Sequence, residues 1–260
     1  MVGVLNITPD SFFDGGRHLA LEAALSQATQ MEAEGASMID IGGQSTRPGY
    51  VEIVAEEEIA RIVPVIEALA GRLRIPLSID TYKPAVALAA IKAGADIIND
   101  VYGFQVTPEL AEIAAHHGCG AILMHNEASF PASRDATMER IATFLARSVS
   151  VAVAAGVPHE HIILDPGIGF AKTPEQNLEI LARLGELHSL GCPLLLGASR
   201  KSVIDHVLRL PVNERLEGTL ATTALAVWHG VEFLRVHDVR ANLRVACMAK
   251  AIRDALPACP

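Results

Sequence analysis

Eight short aliphatic runs recur along the chain: VGVLNI from Val2, MIDIGG from Met38, PLSID from Pro76, DIIND from Asp96, AILMHN from Ala121, IILDPG from Ile162, LLLGAS from Leu194 and FLRVHD from Phe233. Each has the length of a strand and is almost continuously apolar, which predicts strands covered on both faces. Between them apolar residues fall at helical spacing, as in Ile59, Ile62, Val63, Ile66 and Leu69 or in Leu178, Leu181, Leu184 and Leu187. That alternation predicts parallel βαβ units. One helix start is written in local chemistry: Thr173 can cap, Pro174 suits the first helical turn and Gln176 completes a capping box. Eight strand-helix pairs without a long linker, a low-complexity tract or a break in composition predict an α/β fold. A (β/α)8 TIM barrel in a single domain over residues 1–260 suits this pattern better than an open doubly wound sheet.

Composition narrows the chemistry. Half of the residues are hydrophobic but only 4% are aromatic, as a layered aliphatic core requires, and disorder is excluded. A net charge of -9 argues against a nucleic-acid surface, so an anionic ligand would need a local basic pocket. Cys119, Cys192, Cys247 and Cys259 are too widely spaced for a zinc pattern and too sparse for a secreted disulfide scaffold, which points to a reducing compartment. No apolar stretch reaches the ~18 residues of a membrane span, and a cytoplasmic location is expected.

The predicted strands stop at Asn6, Asp40, Asp80, Asn99, His125, Asp165, Ser199 and His237. In a barrel the C-terminal strand ends meet at one mouth, where such folds carry their chemistry. Arg235 and His237 are two apart, so both are expected to face inward, either toward a phosphate-bearing ligand or into a structural ion pair. Asp80, Asn99 and Asp165 could converge on a flat heterocycle rich in N–H groups, or could cap helices and brace loops. In GASRKS (197–202), Gly197 permits close backbone approach, Ser199 or Ser202 lies near a helix start, and Lys201 either donates to a ring acceptor or is a solvated surface lysine.

Two connections, NITPDSFFDGG (6–16) and DIGGQSTRPG (40–49), are longer than barrel turns require, and Phe12 and Phe13 suit either a lid over an aromatic substrate or a rigid loop packed on its own phenylalanines. His116 and His117 sit in a helix-like stretch and predict surface, not metal. The serines and histidines lack a GxSxG elbow, which argues against a Ser-His-Asp nucleophile.

Taken together, NITPDSFFDGG, DIGGQSTRPG, IDTYK (79–83), INDVYG (98–103), DPGIGF (165–170), GASRKS and RVHDV (235–239) resemble the motifs of dihydropteroate synthases, in order and across the chain. The resemblance implies joining 6-hydroxymethyl-7,8-dihydropterin pyrophosphate to 4-aminobenzoate, with Mg2+ assisting the departure of pyrophosphate. It implies that Asp80, Asn99, Asp165, Lys201 and Arg235 hold the pterin, with Met124, Phe170 and Gly197 lining its pocket. Asn6, Arg235 and His237 would handle pyrophosphate, with Asn6 beside the metal. Phe12, Thr46, Pro48 and Ser202 would form the aminobenzoate pocket, with Asp14 and Arg47 moving in over the reacting centre. Catalytic roles thus fall on Asp14, Arg47, Lys201, Arg235 and His237. The family also implies a homodimer and small-molecule substrates.

The sequence departs from the family pattern at Gln44, where many relatives have Glu, and at Phe13, where Ser is common. Two rival readings are a methyltetrahydrofolate-corrinoid methyltransferase-like barrel and a catalytically silent pterin-binding paralogue. Against them stand the two long loops, Asp14, Arg47, Lys201 and His237.

Overall fold

The computed structural model describes residues 1–7, 16–44, 52–133 and 135–256. The strands are β1 (Val2–Asn6), β2 (Met38–Gly42), β3 (Leu77–Asp80), β4 (Ile97–Asp100), β5 (Gly120–Met124), β6 (Ile162–Asp165), β7 (Leu195–Leu196) and β8 (Phe233–Val236). All pair in parallel in the order β6-β5-β4-β3-β2-β1-β8-β7. A parallel bridge between Leu164 and Leu194, with Leu164 N donating to Pro193 O at 2.9 Å, links β6 to β7 and brings the sheet almost to closure. This is the (β/α)8 barrel that the alternation predicts.

The surrounding helices are α1 (Gly16–Ala33), α2 (Ala55–Ala70), α3 (Pro84–Ala93), α4 (Glu109–His117), α5 (Thr137–Ala155), α6 (Pro174–Ala182), α7 (Ser202–Leu208), α8 (Leu216–Trp228) and α9 (Val239–Asp254). Two features depart from the simple pattern. The leucine series from Leu178 to Leu187 spans the end of α6 and a separate 3-10 segment, Leu184–Leu190. The β7-to-β8 connection holds two helices, because α7 ends after seven residues at Arg209, whose φ of 56° turns the chain. None of the described helices is long and apolar enough to cross a membrane.

Strand periodicity divides the core into two layers. Val2, Met38, Ile122, Ile163 and Leu195, with Ile97 and Phe233 against them, form a cluster contributed by seven of the eight strands and plug the barrel interior. Their neighbours Ile39, Ile98, Leu123, Leu164, Leu196 and Leu234 belong to the larger cluster packed under the helices. Full burial of such a side chain contributes roughly 1.5–3 kcal/mol, so the interior is a packed floor rather than a channel.

Candidate functional site

Side chains two residues on from the plug face the same way one tier higher. From Val2, Met38, Ile97, Ile122, Ile163, Leu195 and Phe233 that step gives Val4, Asp40, Asn99, Met124, Asp165, Gly197 and Arg235, while β3 adds Asp80 two beyond Ser78. An apolar floor thus carries a polar ring. Arg235 knits it together: its Nε donates to Asp40 Oδ2 at 2.6 Å and its Nη2 to Asp80 Oδ2 at 2.9 Å, while Asn99 Nδ2 donates to Asp40 Oδ2 at 3.0 Å. Lys201 Nζ donates to Ile168 O at 2.7 Å and lies 4.7 Å from the centre of the Phe170 ring. Asp165 Oδ2, Lys201 Nζ and Arg235 Cδ all lie 3.6–3.8 Å from the point where a Cβ on Gly197 would stand. Asp80, Asn99, Asp165, Lys201 and Arg235 therefore share one cup, with Met124, at the end of β5, in register with Asp165.

Burial governs the ionisation of these groups. It lifts Asp80 to about 7 against the opposing pull of Arg235, lifts Asp165 against Lys201 and the Gly167 N–H, and lowers Lys201 to about 8 despite Asp165. Burial thus works against the charged form of both acids and of the lysine, which suits the cup to a heterocycle with both donors and acceptors.

A third tier stands above. Asn6 is exposed at the end of β1, with Oδ1 3.7 Å from the Cβ position of Gly42, which is itself 3.9 Å from Asp80 Cβ. Ser199 Oγ and His237 Nδ1 are 2.9 Å apart, and His237 N donates to Ser199 Oγ at 3.3 Å. This pair is not the start of a serine triad: neighbouring Asp238 is paired with Arg200 Nε and Nη2 at 3.0 and 2.7 Å. Ser202 is exposed at the start of α7. Phe12, Asp14, Thr46, Arg47 and Pro48, with Phe13, lie outside the described residues.

Two sequence readings need correction. Asp40 is not a strand terminus; it is the third residue of β2, wholly buried, and belongs to the ring although the reading of the sequence gave it no binding role. His125 does not join the mouth. It is one residue past inward-facing Met124, so it turns to the helix side, edge-on to Phe130 and Phe144, with both ring nitrogens buried and without a hydrogen-bond partner among the described residues, Nε2 standing 4.0 Å from Glu127 Oε2. Burial, aided by Lys172, holds its pKa down to about 3. Below pH 6.5, the value for a free histidine, the unfolded chain takes up a proton that the folded chain refuses, so stability is lost as pH falls toward about 3. His125→Leu is expected to flatten that loss; denaturant titrations at pH 7 and 4.5 check it, and an unchanged slope assigns the effect elsewhere.

Local structure fixes the remaining walls. Thr173 and Gln176 form the expected capping box, Gln176 Nε2 also binds Pro131 O and Ser133 O, and Asn177 Oδ1 receives Gly169 N at 2.8 Å, which ties α6 to the DPGIGF turn. Gly167 has φ 71°, and a Cβ there would lie 2.0 Å from His125 O. Gly167→Ala is expected to destabilise the fold by a few kcal/mol. Gly197→Ala is expected to melt like the unsubstituted protein, because its methyl would meet Asp165, Lys201 and Arg235 no closer than 3.6 Å and only narrows the cup. Thermal melts on the pair check both.

Gln44 sits in a braced junction. Lys83 Nζ donates to Gln44 Oε1, Ile53 O and Glu58 Oε2 at 2.8, 2.6 and 2.9 Å, while Gln44 Nε2 donates to Tyr82, which donates to Glu52. The amide can accept from Lys83 and donate to Tyr82 at once, which a carboxylate cannot do. His116 and His117 lie exposed on α4, and among the described residues no group of three or more His, Cys, Asp or Glu could hold a metal.

A family model described as pterin binding enzyme matches residues 2–237. The chain belongs to that family. Dihydropteroate synthase from Clostridium beijerinckii is 48% identical over 97% of this chain and 93% of its own length, and that from Bacillus subtilis is 46% identical over 97% and 88%. A dihydropteroate synthase structure from Clostridium difficile, determined in the presence of pteroic acid, matches with a TM-score of 0.92 at 47% identity over 96% of this chain and 95% of that one. One from Yersinia pestis, in complex with a sulfonamide drug, matches at 0.89 and 42% identity over 98% and 94%. Similarity of this extent makes the chain a transferase of the dihydropteroate synthase type in folate biosynthesis and does not favour the corrinoid methyltransferase reading.

Proposed function

We propose that the polar ring above the barrel floor is the pterin seat of this folate-pathway transferase and that the tier above it receives the pyrophosphate. The observation that carries this reading is the meeting of Asp80, Asn99, Asp165, Lys201 and Arg235 around Gly197. Asp165 Oδ2 accepts from the aminopyrimidinone edge, and Asp80 and Asn99 bind further along the ring. Lys201 donates to a ring acceptor, while Met124 and Phe170 form the apolar walls. Arg235, held flat by its two acids, lies against the ring and turns charge toward the leaving group, with Asn6 and His237 above.

In the reaction, 7,8-dihydropteroate forms as the amine of 4-aminobenzoate bonds to the pterin methylene carbon, the carbon–oxygen bond to pyrophosphate breaks, and the amine gives up a proton. An aniline is a weak nucleophile, so rate comes from positioning the two partners and neutralising the departing charge, without a covalent intermediate on the enzyme. Phe12, Thr46, Pro48 and Ser202 are assigned to the aminobenzoate pocket, and Asp14 and Arg47 to the closing loops.

Mg2+ fits this tier. Asn6 offers a neutral oxygen, which suits an ion that keeps water and substrate phosphate as its main ligands. When bound, it would neutralise charge on the pyrophosphate.

We also assign a cytoplasmic location and a homodimer, the latter supported by exposed Val207, Leu208, Trp228, Met248 and Ile252 on α7, α8 and α9. The deciding assay follows pyrophosphate release from pterin pyrophosphate, 4-aminobenzoate and Mg2+, with release expected only when both substrates are present. Sulfonamides are expected to raise the KM for 4-aminobenzoate without lowering kcat, and substitutions at Phe12 or Pro48 to shift the inhibition constant. Purely noncompetitive inhibition would remove these residues from the pocket.

A further inference from the structure

We propose that Lys172 is a positioning residue of the pterin cup, acting from behind the β6 turn to hold Asp165 and Phe170 in the orientation that meets the ring. The inference rests on the pterin-binding role of Asp165.

Lys172 is half-buried, and among the described residues its Nζ has no carboxylate as a hydrogen-bond partner. Its Nζ donates to Gly167 O at 2.9 Å, Phe170 O at 3.1 Å and His125 O at 3.2 Å. An ammonium has three N–H donors, and all three are spent on the main chain, so this side chain has none left for a substrate. Burial, which lowers its pKa to about 7, makes this an expensive place for a lysine whose only task is to fill space.

Each acceptor leads into the cup. Gly167, whose carbonyl Lys172 holds, donates its own N–H to Asp165 Oδ1 at 2.7 Å. One carboxylate oxygen is thereby anchored, and the other, Oδ2, faces the space beside Gly197. Phe170, gripped by its carbonyl, presents its ring to Lys201. His125 follows Met124, the last residue of β5, and its N–H donates to Asp165 O at 2.9 Å.

The backbone is bent to make this possible. Gly167 and Gly169 have φ of 71° and 84°, and Ala171, immediately before Lys172, has φ 48° despite carrying a side chain. A left-handed alanine is retained where surrounding contacts impose it, and here it brings Lys172 within reach of all three carbonyls.

The test compares Lys172→Met, which keeps length but no donors, with Lys172→Arg, which keeps charge and donors, and with Asp165→Asn. Pterin affinity is read by calorimetry, the KM for 4-aminobenzoate at saturating pterin pyrophosphate, and folding by thermal melts. Lys172→Met is expected to weaken pterin binding roughly tenfold or more, as loss of a charge-assisted anchor does, with the 4-aminobenzoate KM changed less than about threefold and partial recovery in Lys172→Arg. Pterin affinity within about twofold of the unsubstituted protein, or equal losses for both substrates, overturns the proposal. If Lys172→Met does not fold, Lys172→Gln is read against the same thresholds. Should Asp165→Asn bind pterin normally, the pterin seat itself is wrong; should Asp165→Asn fail while Lys172→Met binds normally, only the positioning role falls.

Discussion

Asp165→Ala is expected to abolish measurable pterin binding, an effect of roughly a hundredfold or more, since it removes an acceptor of two ring N–H groups at about 1.5–3 kcal/mol each. The fold should not suffer in proportion. Burial penalises the charge of Asp165 in the free protein, with Lys201 and the Gly167 N–H supplying compensation, so this carboxylate is held ready for a ligand. Asp165→Asn, which keeps the shape, is expected to melt at or above the temperature of the unsubstituted protein while still losing the ligand. Calorimetry with a pterin decides: unchanged affinity in both variants takes Asp165 out of the seat.

Arg235→Leu is expected to act on the fold and the chemistry together. The guanidinium joins β8 to Asp40 on β2 and Asp80 on β3, and its loss takes from both acids the cation they are bonded to, leaving Asp80 only the more distant pull of Lys201. Removing one partner of such a buried cluster costs about 3–5 kcal/mol, which in a domain of this size lowers the melting temperature by roughly 10 °C. Activity should vanish with it.

The sign of the pH dependence follows from Asp80. Burial already lifts it to about 7 against the pull of Arg235, so losing Arg235 lifts it further. A carboxyl raised above its unfolded value keeps its proton in the folded state where the unfolded chain releases it, and stability falls as pH rises toward the folded value. The deficit of Arg235→Leu is therefore expected to be larger at pH 8 than at pH 5 in denaturant titrations. An equal deficit at both would mean that Asp80 does not respond to the missing cation.

Positions 40 and 125 show where reading the sequence by strand ends works and where it fails. That reading takes the polar residue that stops an aliphatic run as the one at the mouth, which succeeds for Asp80, Asn99 and Asp165. It fails for His125, and takes Asp40 for a strand end without giving it a binding role, because the relevant variable is parity along the strand, not position at its end. Counted in twos from the interior residues Ile122 and Met38, Met124 and Asp40 face inward and His125 faces outward. The signal was present in the sequence, but it required knowing which residue of each strand stands on the barrel floor.

Lys172 offered no comparable signal. Its proposed role arises from a turn that folds back on itself, where the carbonyls of Gly167, Phe170 and His125 form a cage that no spacing rule describes. The division of the last crossover into α7 and α8 was hidden for a similar reason, since apolar spacing continues across the left-handed Arg209.

The sequence by itself determined the eight strands, their parallel order, the capping box at Thr173 and the inward pairing of Arg235 with the tier above, because pleat, helical period and capping are local. Tertiary structure alone decided which acids Arg235 holds and which histidine turns away. Closing the barrel brings together residues as far apart as Asp40 and Arg235, and that contact depends on the registers of all the strands between them.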